Sequence, residues 1–200
     1  CGVEDSLRML SHAERAADEL GSANIDMLVF ACTASSFVQG IDGEQQLRRQ
    51  IEAAANAPAV TTSGAVIESL RAIGAEQIAL YTPYPDELNH HETQFLEEHG
   101  VETISAHGLG IAEAVQIAAV TSHTLLGLIA AHPPPPQATA IFLSCTNLAT
   151  LEVIRDIEHT YNLPVVSSNS ATFFAVARRL KWPLPPSLGH ISRTYSSKDF

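Results

Sequence analysis

Two cysteines stand at matching points of one chain. VFACTASS (29–36) and LSCTNLAT (143–150) each run from an apolar stretch into Cys-Thr, so Cys32 and Cys145 both sit where a buried strand should end. A lone free cysteine is most often a small buried hydrophobe. Two Cys-Thr pairs at equivalent strand ends are better explained by chemistry. In open α/β sheets ligands collect at the carboxyl ends of the strands, and two thiols carried there by related halves would face a bound molecule from opposite sides. That arrangement suits reaction at a planar carbon, where one group attacks or deprotonates and the other returns a proton. Thr146 and Asn147 are good helix N-caps. The sequence therefore predicts Cys145 beside the positive end of a helix, which would lower its pKa and offer N–H groups to a carboxylate.

Other residues carry weaker signals. Tyr84, in YTPYPDELN, is held between two prolines just after a strand and is a candidate donor to substrate as well as a packing residue. TTS (61–63) and SSNS (167–170) stand at strand ends, where they would bind carboxylate oxygens or cap helices. His90, His91 and His99 share one predicted helix but lack the spacing of a metal site, so no metal is expected. SAHGLG (105–110) does not complete a nucleotide-binding loop, and no cofactor is expected.

The elements that must position these groups alternate along the chain. Helical spacing covers 6–20, 44–55, 65–73, 86–98, 113–131, 148–161 and 171–180, with Gly74 and Gly100 just past two of the ends. Short apolar runs predict strands at 26–31, 58–62, 77–81, 101–105, 140–143 and 164–167, and Pro133–Pro136 reads as an extended spacer. Strands alternating with helices indicate an α/β protein with parallel sheets. Within this pattern LVFACT, a helix and PAVTTSGAVIESLRAIG match IFLSCT, a helix and PVVSSNSATFFAVARRL. Cys32 to Pro58 is a longer interval than Cys145 to Pro164, and the extra residues fall near SSFVQGIDG (35–43), a loop that could act as a lid.

The bulk composition narrows the function classes. The chain has 200 residues, 46% of them hydrophobic, and a formal net charge of −11. With no Lys/Arg cluster, nucleic acid and anionic membrane are disfavoured as partners. Polar interruptions make 111–131 a buried helix rather than a membrane span. Three widely spaced cysteines are not a disulfide framework and fit a reducing, cytoplasmic setting.

Together FACTASSF, TPYPDELN, LSCTNLATLEVI and PVVSSNSA resemble the aspartate/glutamate racemase superfamily, in the branch of maleate cis–trans isomerases and arylmalonate decarboxylases. The ectoine-utilisation proteins of that superfamily are similar too. The likeness spans nearly the whole chain, and SCTNL followed by PVVSSN is its most specific part. It implies two pseudo-symmetric α/β lobes, each a parallel sheet flanked by helices, with the active site in the cleft between them. Residues 1–62 plus 168–200 would form the first lobe and 63–167 the second. By the same resemblance Cys32 is the nucleophile-side thiol and Cys145 the opposing acid/base thiol. Tyr84 contacts substrate, and the turns of Thr33 and of Thr146 and Asn147 cradle a carboxylate. A small carboxylate substrate, no cofactor and a homodimer are implied as well.

Two departures qualify the match. The chain starts at Cys1, about where the second strand of the resembling proteins has ended, so an N-terminally incomplete chain is expected, with an exposed apolar patch near 26–31. Ala114, in GLGIAEA, replaces an Asn of the isomerases and looks like the decarboxylase branch, which keeps only the second cysteine. An isomerase or racemase using both thiols is therefore expected. A decarboxylase with Cys145 as proton donor and a non-catalytic carboxylate-binding protein are the alternatives.

Overall fold

The computed structural model describes residues 2–194. Cys1, and with it the expectation that this thiol lies away from the site, is outside the described residues. In chain order the elements are α1 (Val3–Leu10), α2 (Ala13–Gly21), β1 (Leu28–Phe30), α3 (Thr33–Phe37), α4 (Gly40–Ala55), β2 (Ala59–Thr61), α5 (Thr62–Ala72), β3 (Gln77–Thr82), α6 (Asp86–Glu98), β4 (Glu102–Gly108), α7 (Ala114–Ala118), α8 (Ser122–Ala131), β5 (Ala140–Leu143), α9 (Ile154–Tyr161), β6 (Val165–Ser167) and α10 (Ser168–Leu180). A 3-10 segment follows at Pro186–Arg193.

Every strand pairing is parallel. β1 and β2 form a two-stranded sheet, and the other strands form a four-stranded sheet in the order β4-β3-β5-β6. The α/β class with parallel sheets flanked by helices is thus as expected. β3, β5 and β6 are buried along almost their whole length, which explains why they read as continuous apolar runs rather than alternating ones. One core joins the two sheets, with Val60 of β2 clustering with Leu80, Phe142 and Val166. α5 and α10, which follow β2 and β6, pack on each other. Thr172 donates to the Thr62 hydroxyl at 3.1 Å, and Glu68 pairs with both Arg178 and Arg179 at 2.9 Å.

Two helix boundaries differ from the sequence reading at a local polar group. The helix expected over 6–20 breaks at Ser11, whose hydroxyl donates to the Arg8 carbonyl. The helix expected over 113–131 divides at Thr121, whose side chain accepts the Thr124 N–H and so begins a new helix. The supposed lid is no loop: α3 and the start of α4 occupy 33–43, and Ser35, Ser36 and Phe37 are buried. An apolar hollow lined by Met9, Leu20, Leu28 and Phe30 runs along β1, with Met9 48% and Leu20 53% exposed. It lies where the exposed apolar patch was expected. Among the described residues no helix is long and apolar enough to cross a membrane.

Candidate active site

Cys32 follows β1 and is the N-cap of α3, half-buried, with its thiol 3.3 Å from the Ser35 hydroxyl. Cys145 follows β5 and is buried. Ser168, the first residue of α10, ties the two turns together. Its hydroxyl accepts from the Thr33 hydroxyl at 2.9 Å and from the Cys145 N–H at 3.0 Å. A second tie crosses the same gap, where the Thr146 hydroxyl donates to the carbonyl of Ala31 at 3.0 Å. Ala31 and Asn147 are exposed beside these turns, so the site communicates with solvent.

The backbone at Cys145 is unusual, with a φ of 94°. Left-handed backbone at a non-glycine residue costs on the order of 1–3 kcal/mol and persists only where its surroundings hold it. Here the Ser168 hydroxyl holds the N–H, and the Leu148 N–H donates to the Cys145 carbonyl at 3.2 Å. This geometry corrects one expectation. No helix starts at Thr146; turns at 146–147 and 151–153 precede α9, which begins only at Ile154. Thr146 and Asn147 do not cap a helix, and the Asn147 side chain instead donates to the carbonyl of Ala114 at 2.7 Å.

The Cys145 thiol is accordingly not lowered by a helix end. Burial raises its pKa above the usual thiol value, and nearby Cys32 and Glu92 add to that effect. A hydrogen bond from Tyr84 and one from the Asn147 backbone oppose it only in part. At neutral pH Cys145 therefore rests as the protonated thiol, the form that donates a proton.

Tyr84 is fully buried, hydrogen-bonded to Cys145 and close enough to Cys32 to feel its charge. Burial raises its pKa well above the ordinary phenol value, and the charges of Cys145, Glu92 and Cys32 act in the same direction. Its backbone is fixed by Thr82 and Asn89: the Tyr84 N–H donates to Thr82 at 3.0 Å, and the Asn89 amide donates to the Tyr84 carbonyl at 3.3 Å. Gly108 leaves room for this loop, since a Cβ there would lie 2.4 Å from the Tyr84 carbonyl oxygen. The Tyr84 ring packs edge-on against Phe37, with centroids 6.4 Å apart.

Two contributors were not singled out from the sequence. Ser168 lay within the SSNS run, but its bridging role depends on a contact with residues far away in the chain. Glu92 is 1% exposed and takes a 2.5 Å hydrogen bond from Ser144, the residue before Cys145. Its signal was available: Leu88, Glu92, Phe95 and Leu96 share the spacing of one helix face, and all four are buried. TTS and SSNS act mainly as caps, with Thr61 accepting from Gly64 and Ser167 forming a capping box with Ser170. Among the described residues no group of three or more His, Cys, Asp or Glu could hold a metal ion. His99 instead lies edge-on against Phe95.

A profile of the arylmalonate decarboxylase family matches residues 5–190. The chain belongs to that family. The arylmalonate decarboxylase of Bordetella bronchiseptica is 33% identical over 171 residues, spanning 85% of this chain and 70% of that enzyme. A maleate isomerase of Pseudomonas putida is 26% identical over 192 residues, spanning 93% of this chain and 77% of the isomerase. Among solved structures, the maleate isomerase Iso from Pseudomonas putida superimposes with a TM-score of 0.89 at 28% identity, covering 98% of this chain and 82% of its own. A variant of that isomerase has been solved with maleate. Family membership therefore covers decarboxylase and isomerase relatives alike, and the thiols must decide between them.

Proposed function

We propose that this chain is a cofactor-independent isomerase of a small unsaturated dicarboxylate of the maleate type, with Cys32 and Cys145 as its catalytic pair. One observation carries the reading: the turns bearing the two thiols meet at Ser168, and Tyr84 interacts with both thiols. The Cys32 thiolate adds to one alkene carbon and forms a C–S bond. The π-electron pair moves to the neighbouring carbon, which takes the proton of the Cys145 thiol. The central bond, now single, rotates. The Cys145 thiolate then removes the proton, the double bond re-forms in the trans geometry and the C–S bond breaks, restoring both side chains. Tyr84 donates to the Cys145 sulfur and steadies it when it carries charge.

Thr33, Thr146 and Asn147 hold substrate carboxylates in this reading. Their side chains already bond Ser168, Ala31 and Ala114, and the Asn147 N–H bonds Cys145, so the backbone N–H groups of Thr33 and Thr146 are the groups that meet a carboxylate. The proposal also includes a first lobe from 1–62 plus 168–200 and a second from 63–167. It further includes a homodimer and a cytoplasmic setting in which both thiols stay reduced.

The family match and the 33% identity to a decarboxylase favour a second reading. Loss of carbon dioxide from an arylmalonate would leave its electron pair on the α-carbon, which the Cys145 thiol would protonate while Cys32 looked on. Proton NMR of dialysed, chelator-treated protein separates the readings. Maleate should be converted to fumarate and an arylmalonate should remain intact. Decarboxylation with untouched maleate would overturn the isomerase reading, and no turnover of either by a protein that binds both would indicate a binding protein.

A further inference from the structure

We propose that Glu92 is a positioning residue for Cys145, fixing the turn that carries the thiol and governing how readily that thiol ionises. The proposal rests on the reading of Cys145 as the acid/base thiol. The carboxyl is bonded to Ser144, which is joined directly to Cys145, and the turn it anchors holds Cys145 at a φ of 94°. Its second oxygen, Oε2, is buried without a partner. Glu92 also borders a small internal cavity with Thr33, Phe37, Ser63 and Phe142, so the residue lies between the Cys145 turn and Thr33, which follows Cys32.

Among the described residues no cation pairs with Glu92. The ionisable groups acting on this cluster are Tyr84 from the β3–α6 loop, Cys145 after β5 and Cys32 before α3. α4, which also packs on α6, contributes Glu44, already bonded by the Thr61 hydroxyl. β4 contributes His107, stacked on His132 with ring centroids 4.2 Å apart. On α6 itself His91 and Glu98 line a separate hollow with Gln39. Burial raises the Glu92 carboxyl from 4.5 to about 8, and the Ser144 hydroxyl pulls it back only in part. Neutral Glu92 thus holds the turn without opposing thiolate formation, whereas ionised Glu92 places a negative charge that disfavours a second one on Cys145.

The test is peptide-resolved alkylation of Cys145 by iodoacetamide from pH 6 to pH 10, in a Cys32→Ala background with Glu92 or Glu92→Gln. Gln keeps an acceptor for Ser144 and removes the titration. The two proteins should react at equal rates below about pH 7 and diverge above about pH 8, with Glu92→Gln faster by roughly three- to tenfold. Ser144→Ala, which removes the bond that lowers the Glu92 pKa, should move the divergence to higher pH. Coincident curves throughout, or a difference of equal size at every pH, would overturn the proposal. Full turnover in Cys145→Ala would overturn the assignment of the thiol itself, independently of these curves.

Discussion

Cys32→Ala and Cys145→Ala should each lower turnover of an unsaturated dicarboxylate by at least roughly a thousandfold, and the double variant should be scarcely worse than either. Groups that act as a unit fail together, and addition needs both a sulfur nucleophile and a proton. The structure gives the two thiols different surroundings: Cys145 is buried with its pKa raised, and Cys32 is half-buried just before α3. That asymmetry suits an acid facing a nucleophile better than two equivalent bases. Decarboxylation predicts another pattern, in which Cys145→Ala is severe and Cys32→Ala stays within roughly tenfold of the parent. Steady-state rates on both substrate types, with circular dichroism to confirm folding, distinguish the patterns.

The second large effect is on stability. Glu92 has its pKa raised from 4.5 to about 8 in the folded protein, so the folded state keeps a proton that the unfolded chain has released. Stability from this group is fully present below about pH 4.5. It falls as pH rises toward 8 and changes no further once both states are ionised. Each pH unit of that window is worth about 1.4 kcal/mol, so the loss from end to end is on the order of 5 kcal/mol. Glu92→Gln should abolish this component, and the variant should gain on the parent steadily as pH is raised. Urea denaturation at pH 5, 6.5 and 8 reads the difference directly. Parallel pH dependence in the two proteins would mean that the folded carboxyl ionises at its ordinary pKa.

The sequence disclosed the architecture because buried parallel strands announce themselves as short apolar runs, and QIALY and AIFL fall within β3 and match β5. It placed Cys32 and Cys145 after β1 and β5 because Cys-Thr closes both runs. The local environment of Cys145 was not legible. Thr146 and Asn147 have the side chains of helix caps, yet their partners are Ala31 and Ala114, distant in the chain and unknowable from local propensity. The bridging of Ser168 to Thr33 and Cys145 was hidden for the same reason, since a hydroxyl beside a helix start reads first as a cap. Glu92 was legible in principle from its place on the buried face of α6, but a single carboxylate among apolar positions is easily assigned to the solvent side.

In the proposed isomerisation Cys32 forms a carbon–sulfur bond while Cys145 supplies the proton. Intact-mass analysis of protein quenched during turnover of maleate, followed by peptide mapping, tests it most directly. The protein should gain the mass of one substrate molecule, located on Cys32 and missing in Cys32→Ala. An adduct found on Cys145 instead, or maleate turnover by Cys32→Ala at the parent rate, would contradict it.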